Sequence, residues 1–317
     1  MKLILSALVL AAALSVPLAA AGQFAYVANE KSGTISIIDT ARDDIVETIK
    51  AGRTPRGMAA SVDGKHLYVS DQKSNGLRLI DLATRTESGT VDLGESPEGV
   101  SRSADGKWIA AAVEEDNEVL FVDAATARVA FQVKVEGRNP EHAVFSPDSR
   151  WVFVSAEESD VVDVIDVAAR KLAASIKVGT RPRGIGFTPD GTRAYVACEL
   201  ADTVYAIDVA TRKVLAAIPA GVRANGVTVH PSGREVYVSN GGDGTVVVID
   251  TASNKAVGTI KVGNRPWNMA ITPDGAKLYV ANGRSNSVSV IDTAARREIT
   301  QIAVGALPWG VLIPRAD

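Results

Sequence analysis

One feature limits the fold of this chain more than any other: a short apolar run that ends in Asp recurs seven times. The aspartates that end these runs stand at positions 39, 81, 123, 166, 208, 250 and 292. The interval is 42 residues throughout, except for one of 43 residues between Asp123 and Asp166. Self-similarity at a fixed period of this length is typical of architectures that repeat one small unit. The sequence therefore predicts a single repetitive domain.

Each repeat contains four short runs in which apolar and polar residues alternate. In the repeat at 183–220 these runs are RGIGF, RAYVAC, TVYAID and VLAAI. Gly, Pro, Asp and Asn separate such runs, and period-two alternation between turn residues is typical of β-strands. Four short strands at this period indicate one blade of a β-propeller. We therefore expect an all-β fold, a seven-bladed β-propeller with four-stranded blades.

The two ends of the repetitive region predict how the ring is closed. The region opens on a second strand at residues 23–29 and stops after an unpaired first strand at residues 309–313. Together these two segments complete one blade, so we expect the C-terminal strand to lie in the first blade beside the N-terminal strands. Because this strand would bury Trp309, Val311 and Ile313, we expect deletion of residues 307–317 to give unfolded or aggregated protein.

The N-terminus predicts export. Lys2 precedes an apolar run at residues 3–16, and Ala19 and Ala21 fit the small-residue rule for signal peptidase. Residues 1–21 are therefore predicted to be a signal peptide, and residues 22–317 a single seven-bladed propeller domain in the periplasm. The apolar run is too short to span a bilayer and no second run follows, so we expect no membrane span.

Composition argues against several classes of function. The formal net charge is −3 and becomes −4 without the signal peptide, which does not favour nucleic-acid binding. Cys198 is the only cysteine and the three histidines are dispersed, so no disulfide, haem-attachment motif or copper cluster is expected. No G-x-S-x-G motif is present. We expect a monomer without a resident cofactor, with a divalent cation as one alternative.

The second strands carry a recognisable tetrapeptide. It reads YVAN at 26–29, YVSD at 68–71, YVSN at 237–240 and YVAN at 279–282. With this motif the mature chain resembles the YVTN-repeat (YncE-like) seven-bladed β-propellers. The segments GRTPRGMA at 52–59 and LPWGVLI at 307–313 resemble the subgroup associated with alcohol catabolism that depends on pyrroloquinoline quinone (PQQ). This resemblance implies PQQ as the other alternative to a protein without a cofactor. The resemblance implies a periplasmic protein without assigned catalysis, from a family linked to ligand, quinone-pathway or nucleic-acid binding.

Function is expected where the repeats differ at an equivalent position, because the framework does not require that variation. One such position opens the innermost strand of each blade, and in the fourth repeat His142 replaces the Gly that usually follows it. Propeller symmetry places these side chains at one end of the central channel. The predicted ligand-binding residues are Arg56, Glu98, Glu141, His142, Arg183, Asn225, Trp267 and Trp309.

Charged loops are expected at the same end of the ring. The acidic residues there are Glu114, Glu115, Asp116, Glu157, Glu158 and Glu199, and the basic ones are Arg181, Arg223 and Arg265. Two Trp side chains and several Arg residues favour a planar or anionic ligand, bound by stacking and bidentate contacts. The alternative is solvated loop charge, with Trp side chains packed between blades. The seven recurrent Asp residues are expected to form turns, because they are spread around the ring.

The residues therefore favour an exported, non-enzymatic binding or scaffolding protein, and the resemblance implies a role accessory to quinone-linked catabolism. Its expected partner is a small molecule or a periplasmic protein. The alternative is a metal-dependent enzyme similar to propeller lactonases or lyases, which would use Glu98, Glu141 and His142. Adjacent residues of a regular strand point to opposite faces, which argues against joint action by Glu141 and His142.

Overall fold

The computed structural model describes residues 23–314, so the predicted signal peptide lies outside the described residues. It contains seven antiparallel sheets of four strands each, arranged as the blades of a ring. The predicted all-β, seven-bladed propeller is therefore confirmed. The one helical segment among the described residues is a single 3-10 turn at Gln72–Ser74. No helix within 23–314 has the length and apolar character needed to cross a bilayer.

The strands follow one another blade by blade. The first blade begins with β1 (Phe24–Asn29), β2 (Thr34–Asp39) and β3 (Asp44–Lys50). The second blade has β4 (Pro55–Ala60), β5 (His66–Asp71), β6 (Gly76–Asp81) and β7 (Thr86–Asp92). The third has β8 (Pro97–Arg102), β9 (Trp108–Val113), β10 (Glu118–Asp123) and β11 (Arg128–Lys134). The fourth has β12 (Pro140–Phe145), β13 (Trp151–Ala156), β14 (Val161–Asp166) and β15 (Lys171–Lys177).

The remaining three blades repeat this order. The fifth has β16 (Pro182–Phe187), β17 (Arg193–Cys198), β18 (Thr203–Asp208) and β19 (Lys213–Pro219). The sixth has β20 (Ala224–Val229), β21 (Glu235–Asn240), β22 (Thr245–Asp250) and β23 (Lys255–Lys261). The seventh has β24 (Pro266–Ile271), β25 (Lys277–Asn282), β26 (Ser287–Asp292) and β27 (Arg297–Ala303). The last strand, β28 (Pro308–Leu312), belongs to the first blade.

Strand β28 closes the ring as predicted. It pairs antiparallel with β1, with Leu312 opposite Tyr26 and Val311 opposite Val27. The first blade therefore has the strand order β28-β1-β2-β3. Val311 and Ile313 are buried, whereas Trp309 is only half-buried and faces the end of the channel.

The hydrophobic core lies between blades. One cluster joins Val119 and Phe121 of the third blade to Ala143 and Phe145 of the fourth. The rings of Phe121 and Phe145 meet edge to face with a centroid distance of 6.1 Å. Because each blade packs on its two neighbours, the ring has to close for every apolar face to be covered.

The recurrent Asp residues form turns, as the sequence predicts. Each accepts backbone amide hydrogen bonds from the residues two or three positions further on. Asp208 Oδ1, for example, accepts from the Thr211 amide with an N···O distance of 2.7 Å, and Asp292 Oδ1 accepts from the Ala295 amide at 2.8 Å. These carboxylates stabilise the tight turn between the third and fourth strands of each blade.

Candidate functional site

The predicted ligand-binding residues surround one end of the central channel, which we call the mouth. Here a cavity of about 290 Å³ opens to solvent. Six of the eight predicted residues line it: Arg56, Glu141, Arg183, Asn225, Trp267 and Trp309. The other two are adjacent, since Glu98 contacts Arg56 and His142 stacks on Trp309.

Two circles of residues build the mouth. The inner ring is the second residue of each innermost strand, and its members are Arg56, Glu98, Glu141, Arg183, Asn225, Trp267 and Trp309. The outer ring is the first residue after each second strand, and its members are Glu30, Gln72, Glu114, Glu157, Glu199, Gly241 and Gly283. Every outer-ring amide donates to the carbonyl of the residue that precedes an innermost strand, with N···O distances of 2.8 to 3.2 Å. This repeated hydrogen bond fixes the two rings against each other.

The innermost strands approach each other closely at the mouth, which explains the Gly that usually follows an inner-ring residue. A Cβ on Gly226 would lie 2.5 Å from the carbonyl oxygen of Trp267 on the next innermost strand. Second-strand serines join the same strands. Ser239 donates to the Trp267 carbonyl at 2.6 Å and accepts from the Gly226 amide at 2.8 Å. The backbone beneath the inner ring is therefore held by direct contacts.

Sequence reasoning missed Glu30, Gln72 and Asn139, which also line the cavity. Glu30 and Gln72 occupy the outer-ring position at which Glu114, Glu157 and Glu199 had been noticed only for their charge. Aligning the repeats at this position would have found them. Asn139 precedes an innermost strand with a φ of 62°, at the position that Arg181, Arg223 and Arg265 occupy in later blades.

One side of the mouth is aromatic. The outer ring has Gly241 and Gly283 there, and the space left by their missing side chains is occupied by Arg265 and Trp267. A Cβ on Gly283 would lie 2.6 Å from Cζ3 of Trp267, which means that the indole lies over this glycine. Trp267, Trp309 and Asn225 together form this sector of the cavity wall.

The opposite side holds a dense network of ion pairs around Arg183. Its guanidinium contacts Glu157, and it lies 2.9 Å from Glu141 and 2.9 Å from Glu199. Arg181 and Arg265 also pair with Glu199, at 3.2 Å and 2.8 Å. These Arg side chains already have carboxylate partners, so the expected bidentate capture of an anionic ligand would require breaking these ion pairs.

Two carboxyls of this network have pKa values displaced in opposite directions. Burial raises the pKa of Glu157 to about 8, and the negative charge of Glu141 adds to the rise. Burial alone would also raise the pKa of Glu141, but the positive charge of Arg183 outweighs it and lowers that pKa. Near neutral pH the pair therefore carries one proton beside one carboxylate, which is the arrangement of a general acid next to a general base.

A second carboxylate group lies between the third and fourth blades. One carboxylate oxygen each from Glu98, Glu114 and Glu141 lies within 4.8 Å of the other two. Gln72 Nε2 donates to Glu98 Oε1 at 2.9 Å, and Arg56 contacts the same oxygen. Glu98 Oε2 has no hydrogen-bond partner among the described residues, although the residue is 0% exposed. Burial raises the pKa of Glu98 well above its usual value, and the charge of Glu141 adds to this effect.

His142 extends into the channel below the mouth. The strand register shifts between Pro140 and His142, so the regular alternation expected to separate Glu141 from His142 does not hold. Burial lowers the pKa of His142, and the negative charge of Glu141 and the side chain of Asn268 offset part of this effect. Its ring stacks on Trp309 with a centroid distance of 5.5 Å and an interplanar angle of 16°.

The His142–Trp309 contact crosses the channel, because the fourth and first blades are not neighbours in the ring. On its far side lies another cavity, of about 600 Å³, lined by apolar side chains such as Met58, Val144 and Ile271. The residues that line the two cavities do not overlap.

Solved structures with the same architecture come from proteins of different kinds. Hydrazine synthase of Kuenenia stuttgartiensis is 21% identical with a TM-score of 0.73, covering 81% of this chain and 88% of that chain. A functionally unknown protein from Desulfotomaculum acetoxidans DSM 771 is 18% identical with a TM-score of 0.82, covering 93% and 100%. Dihydro-heme d1 dehydrogenase NirN, solved in complex with DHE, is 16% identical with a TM-score of 0.68, covering 89% and 63%. At these identities the similarity shows the fold alone.

Family membership rests on the sequence itself. No curated protein matches the chain significantly. The model of the family described as "Lactonase, 7-bladed beta-propeller" matches residues 10–97 and 168–302, which is more than half of the chain. The segment between these matches contains Glu98, Glu114, Glu141 and Glu157, so most of the acidic side of the mouth lies outside the matched residues. The chain belongs to the seven-bladed β-propeller lactonase family.

Proposed function

We propose that the mouth binds a small, hydroxyl-rich ring compound, such as a sugar or a sugar lactone. The observation that carries this proposal is the pairing of a two-Trp wall with a wall of carboxylates in one cavity. Hydroxyl groups donate hydrogen bonds to carboxylates, and the apolar face of a sugar ring packs on an indole. A cavity of about 290 Å³ suits a molecule of this size.

The charge balance of the site favours such a ligand over a simple anion. Arg56 contacts Glu30 and Glu98, and Arg183 contacts three Glu side chains. A neutral polyol can insert among these groups without breaking an ion pair, because it both donates and accepts hydrogen bonds. Asn225 and Asn268, which also line the cavity, offer further donors and acceptors without adding charge.

Calorimetric titration with a panel of monosaccharides, aldonolactones and aldonic acids tests the proposal. We expect saturable binding of at least one neutral member, weakened about tenfold or more in Trp267→Ala because stacking is lost. Trp151→Ala is the matched control, since Trp151 begins β13 at the other end of its blade and should leave binding unchanged. Wild-type protein that binds no member of the panel, or binds only the acids, would contradict the proposal.

A second candidate function, lactone hydrolysis, is favoured by the opposite pKa displacements of Glu141 and Glu157. Glu141 would take a proton from water as the water oxygen attacks the lactone carbonyl. Glu157 would give its proton to the ring oxygen as the C–O bond breaks, leaving a hydroxy acid. We expect acid release from a bound lactone, slowed about 100-fold in Glu141→Gln. Tight binding of a lactone without any release of acid would contradict hydrolysis and would support binding as the only function of the mouth.

We also propose the cellular setting that the resemblance to YVTN-repeat and PQQ-associated propellers implies. The predicted signal peptide at residues 1–21 supports action in the periplasm as an accessory to quinone-linked catabolism. A mature N-terminus at Gly22 in a periplasmic extract would support export, and retention of residues 1–21 in the cytoplasm would exclude it. Scaffolding is the alternative to ligand binding, and it predicts a protein that co-purifies without any thermal shift by small molecules.

A further inference from the structure

We propose that Glu98, Glu114 and Glu141 hold a calcium ion at the edge of the mouth. Glu98 and Glu141 belong to the inner ring, and Glu114 belongs to the outer ring of the same blade as Glu98. One carboxylate oxygen from each lies within 4.8 Å of the other two. Three carboxylates from three separate segments of the chain thus converge on one point, although like charges repel.

A buried, unpartnered oxygen points independently to a missing positive partner. Glu98 is 0% exposed, and its Oε1 receives the contacts from Gln72 and Arg56. Its Oε2 has no hydrogen-bond partner among the described residues. Buried polar atoms in folded proteins are nearly always paired, and an unpaired carboxylate oxygen is especially costly. A bound cation would satisfy this oxygen.

The charged side chains around the three carboxylates favour the binding of a further positive charge. Arg56 is shared between Glu98 and Glu30, and Arg183 is shared among Glu141, Glu157 and Glu199. Glu114 accepts one hydrogen bond from the Ser96 hydroxyl, at 2.8 Å to Oε2. The cluster therefore keeps an excess of carboxylate over guanidinium, which attracts a cation.

The ligand chemistry favours calcium over other divalent ions. An all-oxygen carboxylate set suits Ca²⁺ or Mg²⁺ rather than a softer metal. Mg²⁺ demands near-ideal octahedral geometry, whereas Ca²⁺ accepts irregular arrangements of carboxylates. Three carboxylates that come from separate segments of the chain and lie within 4.8 Å of one another therefore suit Ca²⁺ better. Water or ligand hydroxyls from the open cavity would complete its coordination.

Family membership does not imply this site, because all three carboxylates lie in the segment that the family model leaves unmatched. The inference also does not depend on the proposed sugar ligand. Calcium binding is measured in the absence of any organic molecule, and sugar binding can be measured in chelator. A negative result for calcium binding therefore does not contradict sugar binding, and a negative result for sugar binding does not contradict calcium binding.

The experiment is titration of the chelator-treated mature protein with CaCl₂ alone, followed by calorimetry and thermal unfolding. We expect one saturable ion per chain, a higher melting temperature, and weaker binding of MgCl₂. Glu98→Gln and Glu114→Gln should each weaken calcium binding by about tenfold or more. Glu115→Gln is the matched control, because Glu115 is an exposed acid next to Glu114 and outside the cluster.

Glu114→Gln keeps the test decisive if Glu98→Gln fails to fold, because Glu114 is less buried than Glu98. No saturable calcium binding by the wild type would overturn the proposal. Equal binding by wild type and Glu114→Gln would also overturn it, since the ion would then lie elsewhere. Tighter binding of Mg²⁺ than of Ca²⁺ would refute the assignment of the ion.

Discussion

The Asp or Asn that ends the second strand of the second and sixth blades is a hydrogen-bond acceptor for the loop that joins one blade to the next. Asp71 accepts from the backbone amides of Arg53 and Thr54, each with an N···O distance of 2.9 Å. Asn240 accepts from the Gly221 amide at 3.0 Å. In these two blades the last residue of the YVTN-like tetrapeptide thus holds the loop that leads into the innermost strand. In the first and seventh blades the equivalent Asn29 and Asn282 instead donate to Ser36 and Ser289 on the third strand, at 2.9 Å and 2.8 Å.

Where a repeat lacks this residue, a different side chain takes over. The second strand of the fourth blade ends in Ala156, which has no acceptor in its side chain. There Asp163, on the third strand, accepts from the Gly137 amide at 2.8 Å and is 0% exposed. The departure of this repeat from the tetrapeptide therefore moves the acceptor to another strand and keeps the hydrogen bond.

Asp71 gives a prediction about stability and pH. Burial alone would raise the pKa of Asp71, but hydrogen bonds from the amides of Arg53 and Thr54 outweigh burial and lower it. A lowered pKa stabilises the fold above the pKa of unfolded Asp, about 3.9, and this stabilisation disappears as the pH falls through the folded pKa. We expect Asp71→Ala to lower the free energy of unfolding by about 1 to 3 kcal/mol at pH 7 and by less at pH 3.

Urea unfolding at the two pH values measures this effect. Asp148→Ala is the control, because Asp148 lies in an exposed turn, and its cost should stay within about 0.5 to 1 kcal/mol. If Asp71→Ala lowered the free energy of unfolding equally at pH 7 and pH 3, the negative charge of Asp71 would not contribute to stability.

At the scale of the strand, the alternation of apolar and polar residues was sufficient to predict where a strand lies. Alternating residues predicted the second strand of the first blade at 23–29, and β1 runs from Phe24 to Asn29. The irregularity at the start of each innermost strand was not predictable. In the fourth blade the register shifts between Pro140 and His142, so that Glu141 is an extra residue of the innermost strand opposite the second strand. That local shift brings neighbouring residues together, which a strict period of two excludes.

Strand β28 is the element on which closure depends. It pairs with β1 and buries Val311 and Ile313 between the first and seventh blades. We expect a protein truncated after residue 306 to be aggregated or to unfold at a much lower temperature, because β1 becomes an open edge and the apolar cluster is exposed.

Size-exclusion chromatography and circular dichroism melting compare this truncation with one that removes only residues 315–317. The shorter deletion leaves β28 whole and should behave as the full chain does. A soluble, monomeric product of the longer truncation with an unchanged melting temperature would contradict the role of β28 in closure.

For the whole molecule, seven-fold repetition predicted which residues meet but not how they pair. Counting repeats was enough to bring Arg183, Trp267 and Trp309 to one mouth. It did not reveal that Arg183 is surrounded by carboxylates, because those contacts depend on the reach of side chains from different blades. Nor did it reveal the outer ring as a set, since Gln72 and Glu30 differ in charge while sharing one position.

The contact between His142 and Trp309 places an imidazole and an indole across the channel, between the mouth and the cavity at its other end. A small molecule that moved from one cavity to the other would have to pass this stacked pair. The two cavities also differ in character, because ion pairs surround the mouth whereas the other cavity has polar side chains such as Ser101 among apolar ones such as Met58. The two ends of one channel therefore present different chemistry to the solvent.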